Sequence, residues 1–327
     1  MIRTGMAATL VAGAMVASMA TAQEKVTFGT NWKAQAEHGG YYYAVAEGIY
    51  KKYGLDVTIR PGGPQVNHNQ LIAAGKIDFN MGSSLNGALN FLQNKIPVIT
   101  IAAVFQKDPQ VLICHANAGA DKLSELKGKT ILISSGARTT YWPWLKAAFG
   151  YTDDMIKPYT FNPGPFLADK NVCQQGYVTS EPFKIAELTN VAPVIHLLAD
   201  NGYDTYSTTI EVVREVAEKK PDMVQRFVNG TIEGWYGYMY KDRAKANALI
   251  KTDNPEMTDA QLAFSHKELL ARGIVDSGDT KTMGIGAMVD ARWDSFYKKM
   301  IGAGVFPAGM PIKEAYTLRF VNQKVGM

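Results

Sequence analysis

Residues 25–60 read KVTFGTNWKAQAEHGGYYYAVAEGIYKKYGLDVTIR. Residues 25–29 and 55–60 are rich in Val, Thr, Phe and Ile and read as strands. Between them, 38–53 reads as a helix closed by Gly54. Strand, helix and strand with short connections make one parallel crossover unit, since parallel strands need a long connection. Continuing outward, Pro64 opens a helix that ends before Gly75. Strands at 77–81 and 98–105 then flank a helix at 84–94. This alternation predicts a parallel sheet covered by helices on both faces.

A second run follows. Strands are expected at 111–115, 130–134, 158–161, 172–178 and 194–198, with helices at 139–149, 163–169 and 181–188. After Asn201-Gly202 the texture changes. One more β-branched strand is read at 205–213, then helices at 213–219, 221–240, 244–250, 258–271 and 289–301. In 221–240, Val224, Phe227, Val228, Ile232, Trp235 and Met239 recur at helical spacing. The first run, 25–105, is only about 80 residues and needs more cover. The C-terminal helices are therefore expected to pack on it and not to form a third domain.

The chain has 327 residues, 34 Lys+Arg against 30 Asp+Glu, and 46% hydrophobic residues, which is ordinary globular composition. That length suggests two domains. A net charge of +4, dispersed along the chain, does not point to nucleic acid. Arg3 is the only charge before Glu24, residues 5–20 are uncharged and small or apolar, and Ala20-Thr21-Ala22 is a small-x-small exit. These features read as a secretory signal peptide over 1–22, cleaved after Ala22. Export to an oxidising compartment would let Cys114 and Cys173 bridge, provided their strands are neighbours; the alternative is two buried thiols.

Enzyme and metal signatures are not found. The five His, at 38, 68, 115, 196 and 266, lack ligand spacing, and HExxH, GxSxG, a post-strand GxGxxG and GxxxxGK[ST] are all missing. No catalytic residue, metal or cofactor is expected. What stands out is four small polar turns after strands: Thr30-Asn31-Trp32, Pro61-Gly62-Gly63-Pro64, Met81-Gly82-Ser83-Ser84 and 134–140. In open α/β sheets such turns gather at the carboxyl ends of the strands, where ligands bind. Trp32, Tyr42, Phe105, Trp142 and Tyr177 lie beside them, and their flat faces suit a planar organic guest.

Several segments match a known pattern in order. They are Asn31-Trp32, Glu37-His38-Gly39-Gly40-Tyr41-Tyr42-Tyr43-Ala44, Gly54-Leu55-Asp56-Val57, Ala74-Gly75-Lys76-Ile77-Asp78-Phe79, Leu126-Lys127-Gly128-Lys129, Glu181-Pro182-Phe183 and Lys220-Pro221-Asp222. Together they resemble the thiamine-precursor, nitrate, sulfonate and taurine type of periplasmic solute-binding protein. The resemblance implies a type II periplasmic binding protein fold: α/β, two lobes, each a mostly parallel sheet flanked by helices, hinged by two crossovers near 105–110 and 199–206. One lobe would comprise 23–106 and 200–327, the other 107–199. It implies a monomer in the periplasm that hands a small molecule to ABC permease transmembrane subunits. The guest would be a pyrimidine or thiamine precursor, or else a sulfonate, carboxylate or flavin.

Carried over residue by residue, Asn31, Trp32 and His38 match base-contacting positions. Gly82, Ser83 and Ser84 match the second contact loop of the first lobe. Ser135, Gly136, Arg138 and Thr139 match the loop of the second lobe, and Glu181 an acidic position there. Arg138 could pair an anionic group. Tyr42, Phe105, Trp142 and Tyr177 complete the expected site. A eukaryotic branch makes the pyrimidine enzymatically, with pyridoxal phosphate and an iron-binding cysteine cluster. Two distant cysteines and an export signal argue against that activity here.

Overall fold

The computed structural model describes residues 23–327, so the signal-peptide expectation at 1–22 lies outside the described residues. Four strands come first: β1 (Glu24–Gly29), β2 (Leu55–Arg60), β3 (Phe79–Gly82) and β4 (Val98–Phe105). The next five are β5 (Gln110–Cys114), β6 (Thr130–Ile133), β7 (Ile156–Pro158), β8 (Val172–Tyr177) and β9 (Val194–Leu197). β10 (Ser207–Val213) closes the set. They form two five-stranded sheets, ordered β2-β1-β3-β10-β4 and β7-β6-β8-β5-β9. Each sheet has four strands running one way. The fifth, β10 or β5, is antiparallel to both neighbours and is the strand that follows a crossover. The chain thus passes between sheets twice, from β4 to β5 and from β9 to β10, and the molecule is two-lobed.

The C-terminal helices cover the first sheet, for a reason visible in the sequence. Helix Pro221–Tyr240 lies against helix Gly39–Ala46 so closely that a Cβ on Gly234 would stand 2.3 Å from the Gly40 carbonyl oxygen. Trp235 and Tyr238 fill the space above Gly40 and Gly39. The edge strand β4 is buried along its whole length. Its Thr100 bridges to Tyr316 and its Ala103 to Gly286, so the tail shields an edge that would otherwise invite pairing.

The expected elements at 55–60, 98–105 and 221–240 have the expected bounds. Most others shift by one to three residues at an end, and three differ more. The helix read over 38–53 is two pieces, Gly39–Ala46 and Ile49–Lys52, parted by Gly48 at φ 66°. The helix expected from Pro64 starts at His68, where Asn67 accepts a hydrogen bond from the Asn69 N–H at 3.1 Å; residues 61–66 remain a loop. The strand read at 158–161 is instead β7, at Ile156–Pro158. Pro158 cannot donate to a ladder, and it ends an outer strand that pairs only with β6.

The register of β5 on β8 sets Ile113 opposite Gln174, and the next pair outward, Cys114 and Cys173, is joined by a disulfide with Cα atoms 4.5 Å apart.

Candidate functional site

The turns that follow β1, β2, β3 and β6 converge on one cleft between the lobes, as the carboxyl ends of parallel strands should. Asn31 and Trp32 come from the first turn, Gly63 and Pro64 from the second, and Ser83 and Ser84 from the third. The second lobe contributes Ser134, Gly136, Ala137, Thr140 and Tyr141 from the turn after β6. The end of β8 supplies Gln175, Gly176 and Tyr177, and the next helix supplies Glu181. The crossovers form the floor, with Asp108 and Gln110 from one and Tyr203 from the other. The cavity between these walls is only ≈ 80 Å³. The cleft is therefore a narrow slot.

Hydrogen bonds hold the walls in place. Asn31 Nδ2 donates to Ser83 Oγ at 2.9 Å, while Asn31 Oδ1 is buried without a partner. Gln175 Oε1 accepts from the Ser134 N–H at 2.6 Å and from the Tyr141 hydroxyl at 3.0 Å. Gln110 Nε2 donates to the Gly176 carbonyl at 2.9 Å. Glu181 Oε2 accepts the Tyr177 N–H at 2.8 Å, and Oε1 accepts the Tyr159 hydroxyl at 3.3 Å.

Among the described residues, two carboxyls face this slot and no Lys, Arg or His side chain lines it. Burial pushes Asp108 up to about 7, against the lowering effect of the Gln110 N–H. Burial also pushes Glu181 up to about 7; the Tyr177 N–H opposes that shift and the nearby Glu37 carboxyl adds to it. Near neutral pH both groups are therefore divided between acid and carboxylate, able to donate or to accept. The Tyr141 and Tyr203 hydroxyls are pushed well above their ordinary value by burial and stay protonated donors.

Direct contacts cross between the lobes. Trp32 lies parallel to Tyr159, with ring centroids 6.1 Å apart. Asn90 Nδ2 donates to the Thr139 carbonyl at 2.6 Å, and Gln65 Nε2 to the Tyr159 carbonyl at 3.3 Å. The Thr179 hydroxyl donates to the Glu37 carboxylate, which is wholly buried and raised to about 7, chiefly by desolvation. The lobes are closed on one another.

Of the residues singled out in the sequence, Asn31, Trp32, Ser83, Ser84, Gly136, Tyr177 and Glu181 line the slot. The others stand elsewhere. Gly82 ends β3 with the Glu211 and Thr209 side chains packed where a Cβ would sit. Ser135 donates both its N–H and its hydroxyl to the Pro64 carbonyl, each at 3.3 Å, and so ties one wall to the other. Arg138 and Thr139 are exposed, outside the lining. His38 is fully buried with neither ring nitrogen partnered, and desolvation pushes it down to about 3, so it is neutral core.

Three aromatics also belong to the core. Tyr42 is buried and donates to Asp253 at 2.6 Å. Phe105 meets the Trp235 ring edge-on at 5.5 Å. Trp142 Nε1 donates to Asp153 at 2.7 Å, on the far side of its helix. Asp108, Gln110, Gln175 and Tyr203 were not singled out. Asp108, Gln110 and Tyr203 fall in the two segments read as crossovers, and a hinge that runs beneath a cleft must supply its floor.

A family model described as NMT1/THI5 like matches residues 35–246. The riboflavin-binding protein RibY of Chloroflexus aurantiacus is 21% identical over 308 residues, covering 91% of this chain and 86% of RibY. Among solved structures, the alkanesulfonate-binding protein SsuA of Xanthomonas axonopodis pv. citri, bound to MOPS, aligns with a TM-score of 0.63 at 15% identity. That alignment covers 91% of this chain and 99% of SsuA. The ligand-binding component of an ABC-type import system from Staphylococcus aureus aligns at 0.62 with 13% identity, covering 93% and 100%. The shared architecture is the periplasmic binding protein fold.

Proposed function

The chain belongs to the NMT1/THI5-like family, and from that premise we propose that it is the solute-capturing component of an ABC importer. Its guest, on this reading, is a small planar heterocycle of the aminopyrimidine kind, bound between the lobes and released unchanged to the permease. The observation that carries the choice of guest is the pair of buried carboxyls, Asp108 and Glu181, in a slot lined by no cationic side chain. An aminopyrimidine offers an exocyclic N–H beside a ring nitrogen. A carboxyl can accept from the first and, when protonated, donate to the second. Asn31 Oδ1 is a further acceptor without a partner. A sulfonate or carboxylate would instead be desolvated beside two acidic groups with no opposite charge to offset the cost. Arg138, the cation that favoured an anion in the sequence, is exposed outside the slot.

A flavin is the second reading, favoured by the similarity to RibY along most of both chains. Chemistry on the guest is not part of the proposal. The slot has no lysine to hold pyridoxal phosphate, and both cysteines are engaged in the disulfide. The two lobes are taken as 23–106 with 200–327, and 107–199, moving about 105–110 and 199–206. Residues 1–22 are taken as the export signal to the periplasm, and the protein is taken to work as a monomer.

Protein purified without denaturation and sprayed for native mass spectrometry should carry one retained molecule per chain, whose mass and fragmentation are those of a pyrimidine. Retention of a sulfonic acid would overturn this reading.

A further inference from the structure

A second chamber adjoins the slot on the far side of Glu181. Its volume is ≈ 350 Å³, against ≈ 80 Å³ for the slot. Tyr159, Phe161, Ile185 and Met257 make its apolar wall, and Gln174 lies within it. Glu181 lines both spaces, and Trp32 of the slot is stacked on Tyr159 of the chamber, so the two spaces meet at one aromatic pair and one carboxyl. Consecutive residues of β8 serve both: Gln174 faces the chamber, and Gln175 to Tyr177 face the slot.

One further observation points to a guest. Gln174 is 1% exposed, and its Oε1 is buried with no hydrogen-bond partner. Such a buried acceptor is costly to leave unsatisfied, and the terminal amide torsion is soft enough to turn the group toward a donor. A line of weak bonds also joins the spaces. Gln261 Nε2 reaches Ser180 Oγ at 3.4 Å, and Ser180 Oγ reaches Gln35 Oε1 at 3.5 Å, both at the long limit for such contacts. The charged groups at the rim are already engaged, Lys184 with Glu187 at 3.5 Å and Glu256 with Lys33 at 2.7 Å. They do not call for an ionic guest.

We propose that this chamber is an annex of the binding site. It seats an apolar, ring-bearing appendage of a ligand whose heterocyclic head occupies the slot, and Gln174 accepts a hydrogen bond from an N–H or O–H on that appendage. The inference rests on the aminopyrimidine reading of the slot and narrows its substrate class to substituted rings.

The test uses two probes in calorimetric titrations of the full-length mature protein. One is 4-amino-5-hydroxymethyl-2-methylpyrimidine, and the other is its O-(3-hydroxybenzyl) ether, whose phenol O–H can donate to Gln174. The ether should bind at least tenfold more tightly. Met257→Trp, which fills the annex, should abolish that gain while leaving the parent pyrimidine within twofold. Ile185→Phe intrudes on the same space from the other lobe and should act alike, with circular dichroism and thermal melting verifying the fold of each variant. Equal binding of the two probes, or equal losses for both in the filled variants, would refute the annex and leave the pyrimidine reading standing. Binding of neither probe to the wild-type protein would refute both.

Discussion

Replacing Cys114 and Cys173 together by Ser should lower the stability of the second lobe by about 4 kcal/mol, the chain-entropy value for a closed loop of this size. The bond spans 59 positions of sequence and links β5 to β8, with both residues almost wholly buried. Without it, the unfolded chain regains the freedom of the intervening segment, which includes β6, β7 and much of one cleft wall. β5 is also the antiparallel strand that enters directly from the crossover, and its Gln110 is hydrogen-bonded to Gly176 at the slot. The variant should melt roughly 10 °C lower, and the wild-type protein should move to the same temperature in strong reductant. A double-Ser variant that melts together with the wild-type protein would mean that the bond adds nothing to stability.

Glu181→Gln should have effects of opposite sign on stability and on binding. The folded-state value of Glu181 is raised to about 7 from 4.5, so the native protein holds this proton more tightly than the unfolded chain does. Below about pH 4.5 both states are protonated and the residue carries no penalty. As pH rises from 4.5 to 7 the native state is progressively disfavoured, by about 3 kcal/mol in full above pH 7. Gln removes that penalty. The ligand-free variant should therefore melt higher than wild type at pH 8 and coincide with it at pH 4.5. Its affinity for 4-amino-5-hydroxymethyl-2-methylpyrimidine at pH 8 should fall roughly 10–100-fold, the worth of one charge-assisted hydrogen bond. Thermal melts at the two pH values and one titration of each protein measure both effects. A variant less stable than wild type at pH 8, with undiminished affinity, would remove Glu181 from the binding role. On the proposed reading this is the trade of a functional site: a buried carboxyl kept at a cost in stability to hold the guest.

The sheets were legible because their signals are local. β2 and β4 combine β-branched residues with clear glycine or proline boundaries, and helix Pro221–Tyr240 has both a proline start and an unbroken apolar stripe. The four post-strand turns were legible for the same reason, and each contributes to the slot. Which aromatic beside a turn faces the cleft was not legible. Trp32 precedes its helix and stays at the mouth. Tyr42 and Trp142 sit within helices whose rotation is set by packing, and that packing turns them into the core, where Asp253 and Asp153 satisfy their polar tips. His38 was carried over from the family resemblance as a base-contacting position, yet the close approach of the helix bearing Trp235 and Tyr238 buries that helix end. Asp108 and Tyr203 were missed because a crossover has no periodicity. Their importance arises only when two segments almost 100 residues apart meet beneath the cleft.

On the proposed reading, two carboxyls in a slot without cations choose the guest. The most direct measurement is a pair of calorimetric titrations at pH 7.5, one with 4-amino-5-hydroxymethyl-2-methylpyrimidine and one with a short alkanesulfonate. Saturable binding of one pyrimidine per chain, with no heat from the sulfonate, is the predicted result. Saturable binding of the sulfonate and none of the pyrimidine would contradict it.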